Sequence, residues 1–243
     1  MDKIEYQRLY EVEEHMWWFA GLRANLLAAA RDRLGPAPRI LDAGSGTGGL
    51  LAALGQTLPA ACRHGLDISP LACRLAHERS GALIAAGSIN HLPFATASFD
   101  AILSADVLCH AAVEEQAALA ELHRCLKPGA KLILNLPAFR WMLSAHDERV
   151  HNVRRYTRAE AIAMLRHAGF VNARAFYWNS LLFPLMMVQR LLRRRDAATS
   201  DVALFPWPLD RLFRAALALE RGLFRLGIRF PFGGSILVTA EKA

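Results

Sequence analysis

The chain has 243 residues and a formal net charge of +7, with 53% apolar and 21% charged residues. This composition excludes a disordered chain and is sufficient for one domain with a sizeable core. The excess of positive charge leaves nucleic acid, anionic lipid or an acidic protein open as partners. The acidic first residues do not resemble a signal peptide, and no apolar run reaches about 18 residues, so we expect a cytoplasmic protein.

Residues 1–34 have helical spacing of apolar side chains and predict an N-terminal helix, which the sequence GPAP at 35–38 ends. Short apolar runs and amphipathic stretches then alternate along the chain. This alternation predicts an α/β fold, a Rossmann-like, seven-stranded, mostly parallel sheet with helices on both faces. The predicted strands are RILDAG (39–44), CRHGLDIS (62–69), ALIAAG (82–87), FDAILSAD (99–106), AKLILNLP (130–137), NARAFYW (172–178) and SILVTAEK (235–242).

Helices are predicted between these strands, and the one at 157–170 has the clearest boundaries. Thr157 is its expected N-cap, Glu160 the capping-box partner and Gly169 the terminating residue. The others are expected at 47–58, 70–80 and 113–126. We expect a single domain over 1–243. Its expected parts are an N-terminal lid helix (1–34), a cofactor-binding core (38–178), a basic apolar helical insertion (180–230) and the last strand (235–243).

The stretch LDAGSGTGG at 41–49 places four glycines directly after the first strand. Gly44, Gly46 and Gly49 satisfy G-x-G-x-x-G, the pattern of dinucleotide sites. Asp42 argues against a dinucleotide, because a carboxylate beside the bend would repel a pyrophosphate. The same carboxylate suits the α-ammonium and sulfonium charges of S-adenosylmethionine. A strand-to-helix turn that binds no ligand is the remaining alternative.

Asp67 ends the second predicted strand, where a carboxylate can accept hydrogen bonds from both ribose hydroxyls of a nucleoside. Nicotinamide folds use an acid in the same way, so Asp67 alone does not distinguish the two cofactors.

Four segments in this order resemble the class I S-adenosylmethionine-dependent methyltransferases: ILDAGSGTG, GLDIS, GSINHLPFATASFDAILSADVLCH and LHRCLKPGAKLIL. The resemblance covers residues 38–137 and implies the Rossmann-like fold and S-adenosylmethionine as cofactor. Many relatives have Asp where this chain has Ser88, so the expected bond to the adenine amine is weaker here. The cofactor contacts that the resemblance implies are Asp42, Gly44, Gly46, Asp67, Ile68, Ser88, Ile89 and Ala105.

Two further segments, EEHMWWFAGLR and HDERVHNVRRYT, resemble a bacterial subgroup of these enzymes that is associated with envelope-sugar, lipid or secondary-metabolite pathways. From the first segment we expect Trp18, Phe19 and Arg23 to cover the cofactor crevice and contact the substrate, although these aromatic rings would also suit packing on the sheet. Three adjacent aromatic residues cannot all face one side of a helix.

The loop after the fifth strand follows its carboxyl end, which directs it towards the crevice. We expect proton handling from His146 or His151, with His110 after the fourth strand as the rival base. Tyr156 is the expected donor to the acceptor. Asp147, Arg154 and Arg155 are the expected substrate contacts in this loop, and a solvated loop with a structural Arg–Asp pair is the alternative.

We expect no metal. A metal site formed by His146, Asp147 and His151 is the alternative in that loop, and the four cysteines lack C-x-x-C spacing.

Residues 180–230 combine nine arginines and four acidic residues with apolar helical patterns. This pattern suits a helix at the surface of an anionic membrane, a tunnel for an apolar substrate, or packing on the core or in a homodimer. It lacks the exposed aromatic residues interleaved with basic ones that nucleic-acid sites use, so nucleic acid is not expected.

The function predicted from the sequence is methyl transfer from S-adenosylmethionine to a small-molecule acceptor that is lipophilic or lipid-linked. The basic net charge keeps an RNA methyltransferase open as an alternative. A non-catalytic S-adenosylmethionine- or nucleotide-binding module is the second alternative.

Overall fold

The structure is a computed structural model that describes residues 3–31, 34–192 and 205–243. Seven strands form one sheet in the order β3-β2-β1-β4-β5-β7-β6. All neighbouring strands are parallel except β7, which is antiparallel to both β5 and β6. The strands are β1 (Arg39–Ala43), β2 (Cys62–Asp67), β3 (Leu83–Ala86), β4 (Phe99–Ala105), β5 (Leu126–Pro137), β6 (Phe170–Trp178) and β7 (Ser235–Lys242).

The helices lie in two layers that bury an apolar cluster on each face of the sheet. The described helices are α1 (Lys3–Val12), α2 (Trp17–Ala30), α3 (Gly49–Thr57), α4 (Pro70–Ser80), α5 (Glu115–Cys125), α6 (Ala145–Arg149), α7 (Arg158–His167), α8 (Phe183–Leu192) and α9 (Trp207–Arg225). The predicted Rossmann-like, mostly parallel, seven-stranded fold is therefore confirmed.

Helix α7 begins where the sequence predicts. The Thr157 side chain accepts from the Glu160 amide, and the Glu160 carboxylate accepts from the Thr157 amide, which completes the capping box. Strand β7 has the predicted bounds.

The N-terminal segment differs from the prediction of one helix over 1–34. The chain forms α1 and α2, and they are separated by residues 13–16. Met16 is extended before α2, and the Arg23 guanidinium of α2 donates to the carbonyl of Glu13 at 2.8 Å. The break lets α1 turn over the carboxyl ends of the strands while α2 packs on the sheet and on α9.

The predicted insertion before the last strand contains two helices, α8 and α9, and its residues 193–204 lie outside the described part of the chain. Glu220 of α9 is buried and accepts from the amides of Ser180 at 2.7 Å and Leu181 at 3.1 Å. These bonds fix α9 to the segment that follows β6.

Candidate functional site

A cleft of about 1400 Å³ opens at the carboxyl ends of the central strands. It lies beside β1 and β4, where the strand order reverses and where open α/β sheets bind their ligands. Sites for a single drug-sized ligand measure about 300–1,000 Å³, so the cleft has room for two molecules. The cofactor contacts predicted from the sequence all line it: Asp42, Gly44, Gly46, Asp67, Ile68, Ser88, Ile89 and Ala105.

The glycine bend after β1 is fixed by β2 and by the segment after β4. The amides of Gly44 and Ser45 both donate to the carbonyl of Leu66 at 2.8 Å. Gly44 has a φ of 90°, and a Cβ there would collide with the Val107 side chain. The bend therefore needs glycine for this close packing and presents its remaining edge to the cleft.

The N-terminus of α3 is occupied by a carboxylate of the chain itself. Glu13, from the segment after α1, faces the Gly49 amide and accepts from the Thr47 hydroxyl at 2.5 Å and from Arg79 at 2.5 Å. A Cβ at Gly49 would collide with this carboxylate. A dinucleotide fold leaves this helix N-terminus to a pyrophosphate. Here the third glycine of the pattern makes room for Glu13, so the structure does not fit a dinucleotide.

Asp42 lines the cleft, and the residue is only 2% exposed. Burial, together with the charges of Glu13 and Asp67, raises the pKa of Asp42 to about 8, and no hydrogen bond from the described residues opposes this shift. A buried carboxylate without a donor calls for a cationic partner.

Asp67 has partners on both oxygens. Its Oδ2 accepts from the Gly46 amide at 3.0 Å, and its Oδ1 accepts from the Ser69 amide at 2.9 Å and from the Tyr6 hydroxyl at 3.2 Å. Burial raises the pKa of Asp67. With Asp42 and Glu13 it forms an acidic end of the cleft, which fits the cationic S-adenosylmethionine. Asp42 would hold the charged groups, and Asp67 the ribose.

The opposite end of the cleft is apolar. Trp18 stacks on Trp178 with 6.0 Å between ring centroids, and its ring is nearly perpendicular to that of Phe19, with 4.9 Å between these two centroids. Trp17 instead packs on Phe213 of α9, so the three adjacent aromatic residues do point in different directions. The other apolar side chains at this end are Trp141, Met142, Leu143, Met186, Met187 and Phe205.

Of the three histidines expected to handle the proton, the structure places two at the cleft. His110 and His151 both line the cleft, and their segments are joined by the bond from the Ala111 amide to the His151 carbonyl at 2.9 Å. Burial lowers the pKa of His110, which keeps its imidazole neutral at neutral pH. The backbone of His146 lies in α6, but its side chain lies outside what the structure describes.

Asp147 and Arg155 form a buried ion pair in the loop after β5. Arg155 Nη2 lies 2.8 and 2.9 Å from the two Asp147 oxygens, and Arg155 also donates to the Ala138 carbonyl. Asp147 accepts in addition from the amide and hydroxyl of Ser144. Both side chains border the cleft, but their charged atoms serve to close the loop onto β5.

Three substrate-side predictions are corrected by the contacts these side chains make. The Arg154 guanidinium donates to the carbonyls of Leu108, His110 and Val113, and Arg154 does not line the cleft. The Tyr156 hydroxyl bonds the Leu108 carbonyl and Glu115, also away from the cleft. Arg23 borders the cleft, but its guanidinium joins α2 to the carbonyls after α1. Their polar atoms bond backbone carbonyls and Glu115 instead, so we no longer expect these three side chains to contact the acceptor.

Among the cleft residues that the sequence did not point to are Tyr6, Glu13 and Asp106. Asp106 is the last residue of the fourth predicted strand, FDAILSAD. Its position at the carboxyl end of a central strand could have indicated a cleft residue. Nothing local in the sequence shows that Tyr6 and Glu13 turn towards residues some thirty to sixty positions away.

Comparison with known proteins matches residues 41–134 to the family model described as a methyltransferase domain. The chain is similar to a malonyl-[acyl-carrier protein] O-methyltransferase of Herminiimonas arsenicoxydans, 38% identical over 100 residues, which are 41% of this chain and 37% of that protein. It is also similar to a demethylmenaquinone methyltransferase of Deinococcus radiodurans, 35% identical over 113 residues, 44% of this chain and 46% of that protein. The aligned stretch thus spans less than half of either relative.

Among solved structures, an S-adenosylmethionine-dependent methyltransferase of Thermotoga maritima shares the fold with a TM-score of 0.61 and 20% identity. The match covers 98% of this chain and 95% of that one. The fold and the family match together confirm the predicted class. The residues that match a methyltransferase domain are 41–134, and this match together with the fold supports S-adenosylmethionine as the cofactor.

Proposed function

We propose that this methyltransferase transfers the methyl group of S-adenosylmethionine to a small molecule with a nucleophilic head and an apolar body. The observation that carries the proposal is the division of one cleft into an acidic end, around Asp42 and Asp67, and an apolar end, around Trp18, Phe19 and Met186. The acidic end suits a cationic cofactor, and the apolar end suits a lipophilic acceptor.

When bound, S-adenosylmethionine supplies an electrophilic methyl group on a positively charged sulfur. The chain's contribution is to align the acceptor with that methyl group and to exclude water. Asp42 balances cofactor charge, while the indole of Trp18, fixed by Trp178, covers the acceptor. His110 and His151 border the same space and are the proposed hydrogen-bond partners of the nucleophilic atom.

The names of the two curated relatives agree with an acceptor of this kind. One acts on malonyl-[acyl-carrier protein] and the other on demethylmenaquinone. For this chain we propose the shared chemistry alone, a polar reacting group carried on a longer apolar or lipid-linked molecule.

The outward face of α9 supports a membrane as the source of such an acceptor. Leu212 and Leu219 are each 60% exposed and Leu226 is 79% exposed, and they follow one another at helical spacing. Arg211 and Arg225 are exposed beside them. A basic, apolar outer face of this kind is typical of helices that lie on anionic bilayers.

The acidic residues of α9 are both turned inward. Asp210 accepts from the Trp17 amide at 2.8 Å and from Arg214 at 2.5 Å, and Glu220 accepts from the segment after β6. The outward face therefore carries arginines without acids to balance them. A symmetric dimer through this face would bring like charges together, which favours anionic lipid over a second copy. Among the described helices, none is long and apolar enough to cross a bilayer.

The function is tested by incubating the protein with organic-solvent extracts of bacterial cells and deuterated-methyl S-adenosylmethionine. Mass spectrometry should find a labelled product that partitions into the apolar phase. Asp67→Ala should abolish labelling through lost cofactor binding, and Asp100→Asn, a substitution at the far end of β4, should not. Label confined to RNA in a total-cell extract, or no label with cofactor bound normally, would contradict the proposal.

A further inference from the structure

Asp106 follows β4 at its carboxyl end and borders the cleft. Its φ is 54°, the left-handed region that non-glycine residues rarely adopt, although Asp tolerates it better than most. The Asp106 amide donates to the Asn135 carbonyl at 2.9 Å, which holds the turn against β5. With this backbone conformation the chain turns at Asp106 and does not continue along the sheet, so Asp106 borders the cleft.

Among the described residues, the neutral side chain of Asn135 is the one that holds the carboxylate of Asp106. Asn135 Nδ2 lies 3.0 Å from both carboxylate oxygens, and Asn135 Oδ1 accepts from Trp178 Nε1 at 2.8 Å. Because an indole N–H only donates, it must face the amide oxygen, and this fixes the amide nitrogen towards Asp106. Asn135 and Trp178 are completely buried, so this arrangement cannot rotate freely.

The charged groups around Asp106 do not neutralise it. Among the described residues, the cation that favours ionisation of Asp106 is Arg155, whose guanidinium is already paired with both oxygens of Asp147. The charge of Asp147 opposes ionisation of Asp106, and the neighbouring Cys109 thiol donates to the Asp106 backbone carbonyl. His110, on the same turn, is kept neutral by burial. Burial raises the pKa of Asp106 to about 7, although Asn135 lowers it and Arg155 opposes the rise. A carboxyl group of this kind exchanges its proton near neutral pH.

We propose that Asp106 is the proton acceptor of the methyl transfer, with Asn135 and Trp178 as its positioning residues. This inference rests on the proposed function. The acceptor's X–H proton passes to the Asp106 carboxylate as the bond from X to the methyl carbon forms and the bond from that carbon to sulfur breaks. The electron pair of the broken bond stays on sulfur. A cationic sulfonium and a carboxylate thus become a neutral thioether and a neutral carboxylic acid.

The first test needs no acceptor. In protein labelled with ¹³C at the aspartate carboxyl carbon, the resonance missing from Asp106→Asn should titrate with a midpoint near pH 7. Asn135→Leu removes the donor that favours the charged form, so it should move this midpoint upward, and Asn135→Gln should restore part of the shift. Asp100→Asn, which removes a surface carboxylate paired with Lys127, should leave the midpoint in place. A midpoint below about pH 5 would overturn the inference.

The second test follows label transfer to the extract acceptors. Asp106→Asn should keep S-adenosylhomocysteine affinity within about twofold while turnover falls about 10²–10⁴-fold. In the wild-type protein, turnover should rise with pH, with a midpoint near pH 7. In Asn135→Leu, the midpoint of this rise should move to higher pH by the same amount as the titration midpoint of the Asp106 carboxyl. If Asp106→Asn transfers the label as fast as the wild type, the inference about Asp106 is wrong and the proposed function stands. No transfer by wild type with normal S-adenosylhomocysteine binding overturns the proposed function as well.

Discussion

The hydroxyl of Tyr6 donates to Oδ1 of Asp67 across 3.2 Å, so the first helix of the chain contacts the carboxylate proposed to bind the cofactor ribose. A carboxylate offers about four lone-pair positions. The Gly46 and Ser69 amides and Tyr6 use three of them. Two ribose hydroxyls need two positions, so the Tyr6 hydroxyl must release Asp67 when the cofactor enters.

Tyr6→Phe should therefore tighten binding. Removing one competing hydrogen bond is worth about 0.5–1.5 kcal/mol, or roughly a two- to tenfold gain in S-adenosylhomocysteine affinity. Isothermal calorimetry measures the change. Tyr10→Phe is the matched control, because Tyr10 contacts Arg79 through its ring and keeps that contact. Weaker binding by Tyr6→Phe would mean that the hydroxyl stays in place and contacts the cofactor.

Asp42 should reduce stability as the pH rises. An unfolded Asp has a pKa of about 3.9, whereas burial raises the pKa of folded Asp42 to about 8. Between these values the folded protein binds the extra proton, so this residue makes unfolding easier as the pH rises from about 4 to 8. Asp42→Asn should raise the melting temperature at pH 8 by several degrees and change it little at pH 4. Equal shifts at both pH values would contradict the raised pKa.

The same carboxyl should make cofactor binding depend on pH. An α-ammonium group pairs with the charged form of Asp42, so affinity for S-adenosylhomocysteine should increase from pH 6 to pH 8, and binding at pH 7 should release a proton. Calorimetry in buffers of different ionisation enthalpy counts that proton. Asp42→Asn should bind weakly and release none. Proton release that persists in this variant would assign it to Asp67 or Glu13.

Substitution of Arg155 should lower the free energy of unfolding and have little effect on cofactor binding. Its side chain and that of Asp147 are almost completely buried, and removing one partner leaves an uncompensated charge. Arg155→Met should lower the free energy of unfolding by roughly 3–5 kcal/mol, and adding Asp147→Asn should recover part of the loss. Urea unfolding measures both. S-adenosylhomocysteine affinity of the double variant should stay near wild type, and a large loss would show that the pair contacts the ligand.

The sequence predicted the strands and the residues at their ends because the glycine bend, Asp42 and Asp67 lie within short local patterns. It could not predict that Glu13 fills the helix terminus beside Gly49, since that contact depends on a break between α1 and α2. Tyr156 shows the opposite error. Its place in a loop near the crevice suggested an acceptor contact, but pairing of its segment with Ala138 turns its hydroxyl towards Leu108.

The outward face of α9 should bind vesicles that contain anionic phosphatidylglycerol and leave vesicles of phosphatidylcholine alone unbound. Leu212, Leu219 and Leu226 supply apolar area, while Arg211 and Arg225 supply charge. Co-sedimentation measures the bound fraction at low salt.

The contributions of the arginine charges and of the apolar leucines can be told apart, because salt weakens the first and substitution of the leucines removes the second. The Debye length falls from about 10 Å at 0.1 M to about 3 Å at 1 M salt, so high salt should release most of the bound protein. Leu212→Asp/Leu219→Asp should abolish binding at any salt, because both positions are exposed and the charges would enter the lipid interface. Leu83→Asp is the control for a new surface charge away from α9, because Leu83 is 61% exposed on β3, at the sheet edge opposite β6. A face that joins two copies of the chain would give a different pattern. Binding would be absent with both vesicle types, and the leucine double variant would convert a dimer to a monomer in sedimentation equilibrium.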